Sequence, residues 1–324
     1  MFFARWLRLF FWTAGFMAAG SAVVCADFIA PPPPLSSIAT NTAQTLDNWR
    51  DQANVEFQHV ARQLDSFFKR ADAPDSASNS TARVRLMLKL QDGETPSPGA
   101  AFNGKLALPY AEQQLHLFVD NIRRGTLPGN EDPTYGDESV QVGARWWLMN
   151  AVRAHLHLEG GIRFHGIPDP FTQLEFEYER KLANWTGRFT QDIFYYAKEG
   201  AGELSQVDVE RVFKNKSHFR STTAANFTEE SNGVEFEQTF IYDLPIKGNC
   251  RNLIPSASVF AHKSGAFLMD NYRANITYRT RFFRPWLILE VTPQIEFPRE
   301  RDYVFTPSLR LGFEIWLGSL PEDR

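Results

Sequence analysis

Two histidines at alternate positions, His155 and His157, are the first side chains whose spacing suggests chemistry. Alternate residues of a β-strand point to the same face, so both imidazoles would lie on one side of a strand. Glu175 or Glu177, on the next strand-like segment, would lie across from them. Two imidazoles and a carboxylate can bind zinc, which makes this pair a candidate metal site. The alternative is that both histidines are ordinary polar residues of an aqueous interior.

A second candidate is the run His262-Lys263-Ser264-Gly265-Ala266. It resembles the His-x-Ser-Asn motif of outer-membrane lipid hydrolases such as lipid A deacylase and phospholipase A. The resemblance implies Ser264 as a nucleophile that attacks an ester, His262 as its base, and a third group that orients the base. It departs from the motif at Gly265, where those families have Asn. The alternative is an external loop without catalysis, because these residues also favour a turn.

Most of the other candidate residues are charged and alternate with apolar residues along strand-like segments. The predicted inward-facing charges are Arg83, Arg85, Lys89, Arg153, Glu175, Glu177, Glu235, Glu237, Arg273, Arg279, Arg281, Glu290, Arg310 and Glu314. Burying such charges unpaired is costly, so they must be paired or in contact with water. Two interpretations stay open: a water-filled pore with separate positive and negative walls, or a salt-bridged interior that is locked shut.

The elements that position these residues are strands, and the last one shows the pattern most clearly. Between Ser308 and Leu317 the apolar residues fall at every second position. About ten such residues cross a bilayer as a tilted strand. Because the pattern recurs from residue 82 to residue 317, we predict an all-β fold, an antiparallel transmembrane β-barrel of about 14 strands. If weak strands among residues 187–197, 204–213 and 218–228 merge, the count would be about twelve instead.

Two local features of the predicted strands are less regular. Gly160-Gly161 suggests a β-bulge, and the register of residues 254–263 is ambiguous. Closure of the barrel would place the last strand beside the first, so Arg310 and Glu314 would neighbour Arg83, Arg85 and Lys89.

The composition is compatible with a barrel and argues against other classes. The chain of 324 residues has a formal net charge of −4 and 43% hydrophobic residues, and its mean hydropathy is −0.34. Barrels give a weak hydropathy signal because only alternate strand residues face lipid. The near-neutral charge lacks the basic footprint of nucleic-acid binding, so we expect no nucleic-acid partner. No glycine-rich loop of the phosphate-cradling kind is present, and we expect no cofactor.

Residues 1–26 are typical of a signal peptide. Arg5 and Arg8 flank an apolar run from Leu9 to Val24, and Val24-Cys25-Ala26 fits a cleavage site after Ala26. An uncleaved membrane anchor and a lipoprotein acylated at Cys25 are the alternatives. After cleavage only Cys250 would remain, which permits neither an internal disulfide nor a cysteine metal site.

Residues 27–81 are predicted to form a periplasmic or plug helix with linkers, and residues 318–324 a C-terminal tail. Within residues 40–70 the apolar positions follow at intervals of three and four, which predicts an amphipathic helix. These positions are Leu46, Trp49, Ala53, Phe57, Val60, Leu64 and Phe67. The helix could plug the pore, cover it from the periplasm or bind a periplasmic partner; packing on the periplasmic mouth of the barrel is the simplest alternative.

Connection lengths predict the orientation of the barrel, because bacterial barrels have short periplasmic turns and longer external loops. If the first strand runs outward, the short connections Asn150-Ala151, Asn184-Trp185 and Arg284-Pro285 are periplasmic, and residues 122–138 and 298–304 are external. The tryptophans near the periplasmic rim would then be Trp146, Trp147, Trp185, Trp286 and Trp316. The aromatic residues near the outer rim would be Tyr195, Tyr196 and Phe297. The connection from Pro245 to Asn252 is long for a periplasmic turn and weakens the strand count.

The last strand resembles the terminal recognition signal of bacterial outer-membrane proteins, in which a polar residue and a glycine precede alternating hydrophobic residues. Arg310, Gly312, Ile315 and Leu317 supply the pattern, although Gly318 to Arg324 extend past it. As an architecture, the chain resembles Gram-negative outer-membrane proteins with a signal peptide, a short helix and then a barrel. The resemblance implies an outer-membrane location, contact with outer-membrane lipid and insertion by the barrel-assembly machinery.

Three functions follow as expectations. The first is an outer-membrane pore for small polar solutes with a charged lumen. The second is a structural or assembly barrel that binds a periplasmic partner through the helix at residues 40–70. The third is an outer-membrane lipid hydrolase that uses His262 and Ser264. We expect the pore rather than an enzyme.

Overall fold

A computed structural model describes residues 44, 45, 47–59, 80–107, 115–120, 140–165, 167–229, 231, 233–246 and 251–318. The predicted signal peptide, the loop at 122–138 and the tail after Gly318 lie outside these residues, as do both cysteines. In this part of the chain, no helix has the length and apolar character needed to span a membrane.

The chain separates into two compact units, Met1–Asp51 and Gln52–Arg324. In the first unit, residues 44, 45 and 47–51 are helical; in the second, residues 52–59 are helical. Within the second unit, Asn54 and Gln58 contact the start of the first strand and the end of the last. The Asn54 side-chain oxygen accepts the Gly318 backbone N–H at 3.0 Å, and the Gln58 amide donates to the Ser80 carbonyl at 3.3 Å.

The second unit contains an antiparallel barrel of fourteen described strands. They are β1 Thr81–Gln91, β2 Ser97–Ala107, β3 Leu115–Asp120, β4 Val140–Asn150, β5 Ala154–His165, β6 Ile167–Leu182, β7 Trp185–Tyr196, β8 Gly200–Val212, β9 His218–Thr228, β10 Gly233–Pro245, β11 Arg251–Ser264, β12 Ala266–Phe282, β13 Arg284–Pro298 and β14 Thr306–Gly318. Each strand pairs with its chain neighbour, and β14 pairs with β1. Closure gives each of these strands two neighbours, so none of them lies at a free edge of the sheet. The predicted fold class and the count of fourteen are confirmed.

Apolar and polar side chains are distributed in the reverse of the arrangement in a water-soluble protein. Large apolar residues at outward positions of the strands are exposed, including Leu86, Val142, Ile276 and Phe313. Polar and charged residues at inward positions are buried, including Gln141, Glu159, Asp208, Glu237 and Glu314. A soluble domain rarely exposes such an extensive apolar surface. The predicted alternation therefore separates an apolar outer face from a polar interior.

The weak strands are present as β7, β8 and β9, but the predicted bulge is wrong. Gly160 and Gly161 pair in regular register with Ala144 and Gly143, and the irregularity lies on β4, between Trp147 and Met149. The ambiguous register of residues 254–263 has a structural cause. The pairing of β11 with β12 shifts between Phe260 and Ala261, where Asp270 is the extra residue on β12.

The five tryptophans near the predicted periplasmic rim all lie toward one end of the barrel, where β1 starts and β14 ends. They do not form a uniform outward girdle, because Trp147 and Trp316 occupy inward positions by the strand register. The connection after Pro245 fits this end: the Ile246 N–H donates to the Arg251 carbonyl at 2.9 Å and closes the hairpin between β10 and β11. Its length is therefore compatible with fourteen strands.

Candidate functional site: the charged lumen

Glu314 on β14 is the centre of an ion-pair cluster inside the barrel. Its carboxylate accepts from Arg85 at 3.0 Å and from Arg279 at 2.5 Å, and Arg83 lies 3.8 Å away. The Trp316 indole N–H also donates to it at 2.6 Å. The side chain of Glu314 is 0% exposed, so it depends on these partners for the stabilisation that water would otherwise supply.

This cluster forms because closure brings β14 against β1. Arg85 is directly opposite Glu314, and Lys89 is opposite Arg310. The predicted neighbourhood of the first and last strands is therefore confirmed. Arg279 also pairs with Glu290 on β13 at 3.0 Å. Farther along β12, Arg273 donates to Glu296 at 2.6 Å.

Acidic side chains line another part of the lumen, on β6, β8 and β10. Glu177 and Glu179 share Arg188 of β7, at 3.5 Å and 3.4 Å. Glu235 accepts from Asn226 at 3.1 Å, and the buried Glu237 accepts from Thr239. The other predicted acidic residue, Glu175, contacts His157 at 3.2 Å.

The basic and acidic regions lie on different sides of the lumen. Strands seven places apart in a closed order of fourteen face each other, so β1 lies across from β8. Arg83 and Arg85 on β1 therefore face the side that carries Asp208 and Glu210. Part of the lumen charge keeps contact with solvent: Glu177, Arg188 and Glu179 are 28% to 34% exposed, whereas Arg273 and Glu296 are both buried. The lumen therefore contains both partly exposed and buried ion pairs.

Arg153 does not belong to the lumen wall. The sequence predicted it on the inward face, but the hairpin bends at Val152 and Arg153, and β5 begins only at Ala154. Arg153 is exposed in this turn. The alternation rule was extended one residue before the start of β5, where it does not apply.

The two histidines of the predicted metal pair have different partners. His155 Nδ1 lies 2.8 Å from the Asn150 side-chain oxygen. His157 Nε2 lies 3.1 Å from Glu159 and 3.2 Å from Glu175. The structure thus groups His157 with two carboxylates and leaves His155 outside the group. Glu159 was missed, although its position two residues after His157 places it on the same face of β5.

His262 and Ser264 are placed near the hairpin between β11 and β12. His262 Nδ1 lies 2.7 Å from Asp270, which also lies 3.4 Å from Arg299. Asp270 could orient the imidazole, but Ser264 is exposed and makes no hydrogen bond to His262 within the described part of the chain. The next residue, Gly265, has a φ of +86° and forms the turn. The described residues therefore form a histidine–carboxylate pair in which Ser264 is not hydrogen-bonded to the histidine.

An apolar cluster at inward positions was not anticipated from the sequence. Its buried members are Phe118, Phe171, Phe194, Tyr196, Leu204, Ala224 and Phe260. Several of the rings lie over glycines of neighbouring strands: a Cβ on Gly143 would lie 2.8 Å from Phe118, and one on Gly161 would lie 2.9 Å from Phe171. The sequence does carry a signal for this cluster, because glycine and aromatic residues occur at inward positions of the strands. The expectation of a polar interior hid that signal.

Beside this cluster, Arg163 anchors a polar network that was also missed. Its guanidinium pairs with Asp169 at 2.5 Å and with Glu199 at 2.6 Å, and it lies 4.2 Å from the centre of the Tyr196 ring. The Gln141 amide donates to the Tyr196 hydroxyl at 3.1 Å. These contacts join β4, β5, β6 and β7 toward the end of the barrel opposite the tryptophans.

Comparisons with known proteins locate similar barrels but no relative in sequence. No protein-family model matches the chain, and no curated protein matches it. Similar solved structures include OmpT, an outer-membrane protein of Vibrio cholerae, at 9% identity over 76% of this chain and 100% of that one, with a TM-score of 0.46. Another is the outer-membrane protein OpdK from Pseudomonas aeruginosa, at 11% identity over 75% of this chain and 99% of that one, with a TM-score of 0.42.

A further similar structure is OccK2 (OpdF) from Pseudomonas aeruginosa in complex with glucuronate. Its identity is 8%, over 75% of this chain and 97% of that one, and its TM-score is 0.46. Identities and TM-scores this low carry no argument about function. The fold of this chain rests on its own closed strand order.

Proposed function

We propose that this protein is an outer-membrane pore for small polar solutes. The observation that carries the proposal is the solvent contact of paired charges inside a closed barrel whose outer face is apolar. A fully salt-bridged plug would bury both members of every pair, as in Arg273–Glu296, whereas Glu177, Glu179 and Arg188 stay partly exposed. Fourteen strands also enclose more space than the about eight strands whose interior is filled by side chains.

The outer membrane is the proposed location because the exposed apolar residues lie on the outward face of the strands. A surface of this kind matches a bilayer, where closed barrels satisfy every backbone hydrogen bond. In the proposed orientation, β1 starts at the periplasmic end. That end also carries the tryptophans and the contacts of Asn54 and Gln58.

The purified protein is expected to conduct ions in a planar bilayer, with a selectivity set by the lumen charges. Neutralising Glu177 and Glu179 together with Gln should shift the reversal potential in a KCl gradient toward anion preference. Arg83→Gln should shift it toward cation preference. We expect changes of a few fold in the permeability ratio, because a unit charge about 4 Å from a passing ion contributes about 1 kcal/mol in water.

The matched control is Glu203→Gln, which removes the same charge from the outward face of β8, where Glu203 is exposed. It should leave the reversal potential unchanged. A folded barrel that is silent in the bilayer, or lumen variants with the selectivity of the wild type, would refute the proposed pore.

The hydrolase alternative yields a separate prediction at Ser264. Because Ser264 does not contact His262, we expect Ser264→Ala to release fatty acid from outer-membrane lipid at the wild-type background rate. His262→Ala serves as the companion variant in the same assay. An ester-hydrolysis rate that is clearly above background and falls in both variants would restore the catalytic interpretation.

A further inference from the structure

We propose that His157, Glu159 and Glu175 form a site for a divalent transition-metal ion on the lumen wall. Each residue offers one ligand atom, and these atoms all lie within 4.8 Å of one another. His157 and Glu159 come from β5 and Glu175 from β6, so the donors sit on two hydrogen-bonded strands. The proposal does not require the barrel to conduct ions.

Two of the three donor spacings are close to those around a bound metal ion. His157 Nε2 lies 3.1 Å from Glu159 Oε1 and 3.2 Å from Glu175 Oε2. These distances also lie within the range of ordinary N–H···O hydrogen bonds, about 2.7–3.2 Å, so without an ion the same groups can share a proton. Ligands about 2.0–2.1 Å from a tetrahedral zinc ion are separated by about 3.3–3.4 Å, so a small side-chain adjustment would bring donors that lie within 4.8 Å of one another onto one ion.

The surroundings resemble a built site with one open side. The side chain of His157 is 3% exposed, whereas that of Glu175 is 20% exposed, which leaves a path from the lumen. Arg145 donates to Glu159 at 2.5 Å and holds this carboxylate beside His157, as outer-shell partners of metal ligands do. The Trp147 ring packs 4.8 Å from the His157 ring and restricts its orientation.

Charge and donor type select the class of ion. With a neutral imidazole, the two carboxylates and the Arg145 guanidinium leave one net negative charge for a cation. The nitrogen donor favours zinc and related first-row metals over magnesium or calcium, which prefer oxygen ligands alone. Water could complete the coordination from the side of Glu175, the more exposed of the two residues in the His157–Glu175 pair.

The test titrates Zn²⁺ into the folded, chelator-treated protein in detergent and follows binding by calorimetry. The wild type should bind at one saturable site. His157→Ala should weaken binding by more than the about 10–100-fold that loss of an outer-shell partner costs. Folding of each variant is checked first by the heat-modifiable migration of the barrel on a gel.

His155→Ala is the matched control, since His155 lies on the same face of β5 but is hydrogen-bonded to Asn150. The affinity of this variant for Zn²⁺ should equal that of the wild type.

If His157→Ala fails to fold, Glu175→Gln replaces it, and this variant should also lose the site. Absence of saturable Zn²⁺ binding to the wild type would overturn the proposal, as would equal binding in His157→Ala or Glu175→Gln. His157 would then be an imidazolium held between two carboxylates. If the protein binds zinc but does not conduct ions, only the proposed pore function is refuted and the metal site stands.

Discussion

Replacing Glu314 with Gln is expected to lower the free energy of unfolding of the barrel by about 3 kcal/mol. The carboxylate is fully buried and pairs with Arg85 and Arg279, with Arg83 nearby. Its loss leaves these cations close together without their common counter-ion. The cost lies at the low end for a broken buried ion pair because the arginines keep partial contact with water.

The measurement is urea unfolding of the protein in lipid vesicles, with the folded fraction followed by gel migration. Glu290→Gln is the matched control, because Glu290 pairs with Arg279 while Arg279 also keeps Glu314. Its effect should stay below about 1 kcal/mol, because this pair, with Arg279 33% exposed and Glu290 17% exposed, is screened by water more than the buried Glu314 is. If both variants unfold at the same urea concentration as the wild type, Glu314 is not the centre of the cluster in the folded barrel.

Replacing Phe313 with Arg is expected to destabilise the membrane-embedded barrel by about 2–4 kcal/mol, the cost of a cation on the outer face near the bilayer midplane. Phe313 lies near the middle of β14, points outward and is 40% exposed. In a water-soluble protein, the same change at such an exposed position would cost little. The prediction therefore tests whether the apolar face contacts lipid.

Val304→Arg is the control for this substitution. Val304 is 61% exposed but lies in the connection between β13 and β14, outside the strands, where water should solvate the new charge. When unfolding is measured in vesicles, the free energy of unfolding of Phe313→Arg should be clearly lower than that of Val304→Arg. Equal stability of Phe313→Arg, Val304→Arg and the wild type would place the outer face in water and remove the basis for an outer-membrane pore.

Much of the barrel was predictable because a strand's inward and outward faces are set locally. The alternation around Leu311 and Phe313 identified β14, and closure then predicted that Glu314 would lie beside Arg85. The same rule failed where the backbone departs from regular geometry. It placed Arg153 on β5, one residue before that strand begins. The glycine pair Gly160-Gly161 separately suggested a bulge, which lies on β4 instead.

The candidate site was less predictable because it depends on partners from different strands. His157 was recognised as a possible ligand, but its geometry groups it with Glu159 and Glu175, while Asn150 holds His155. The apolar cluster around Phe171 was hidden by the assumption of a polar lumen. Its rings fit only because inward glycines of neighbouring strands leave space for them.

The amino-acid sequence alone determined that this chain forms strands with one apolar and one polar face, since that pattern follows from the two-residue period of the extended backbone. It also predicted fourteen strands, with twelve as the alternative, and the sign of most of the charges on their inward faces. Apart from the neighbours that closure predicts on β1 and β14, only the tertiary structure decided which of those charges meet, because the register of each strand pair is set by hydrogen bonds between strands. A shift of about two residues keeps every side chain on its face but changes every partner across the pair, so the alternation alone does not record it.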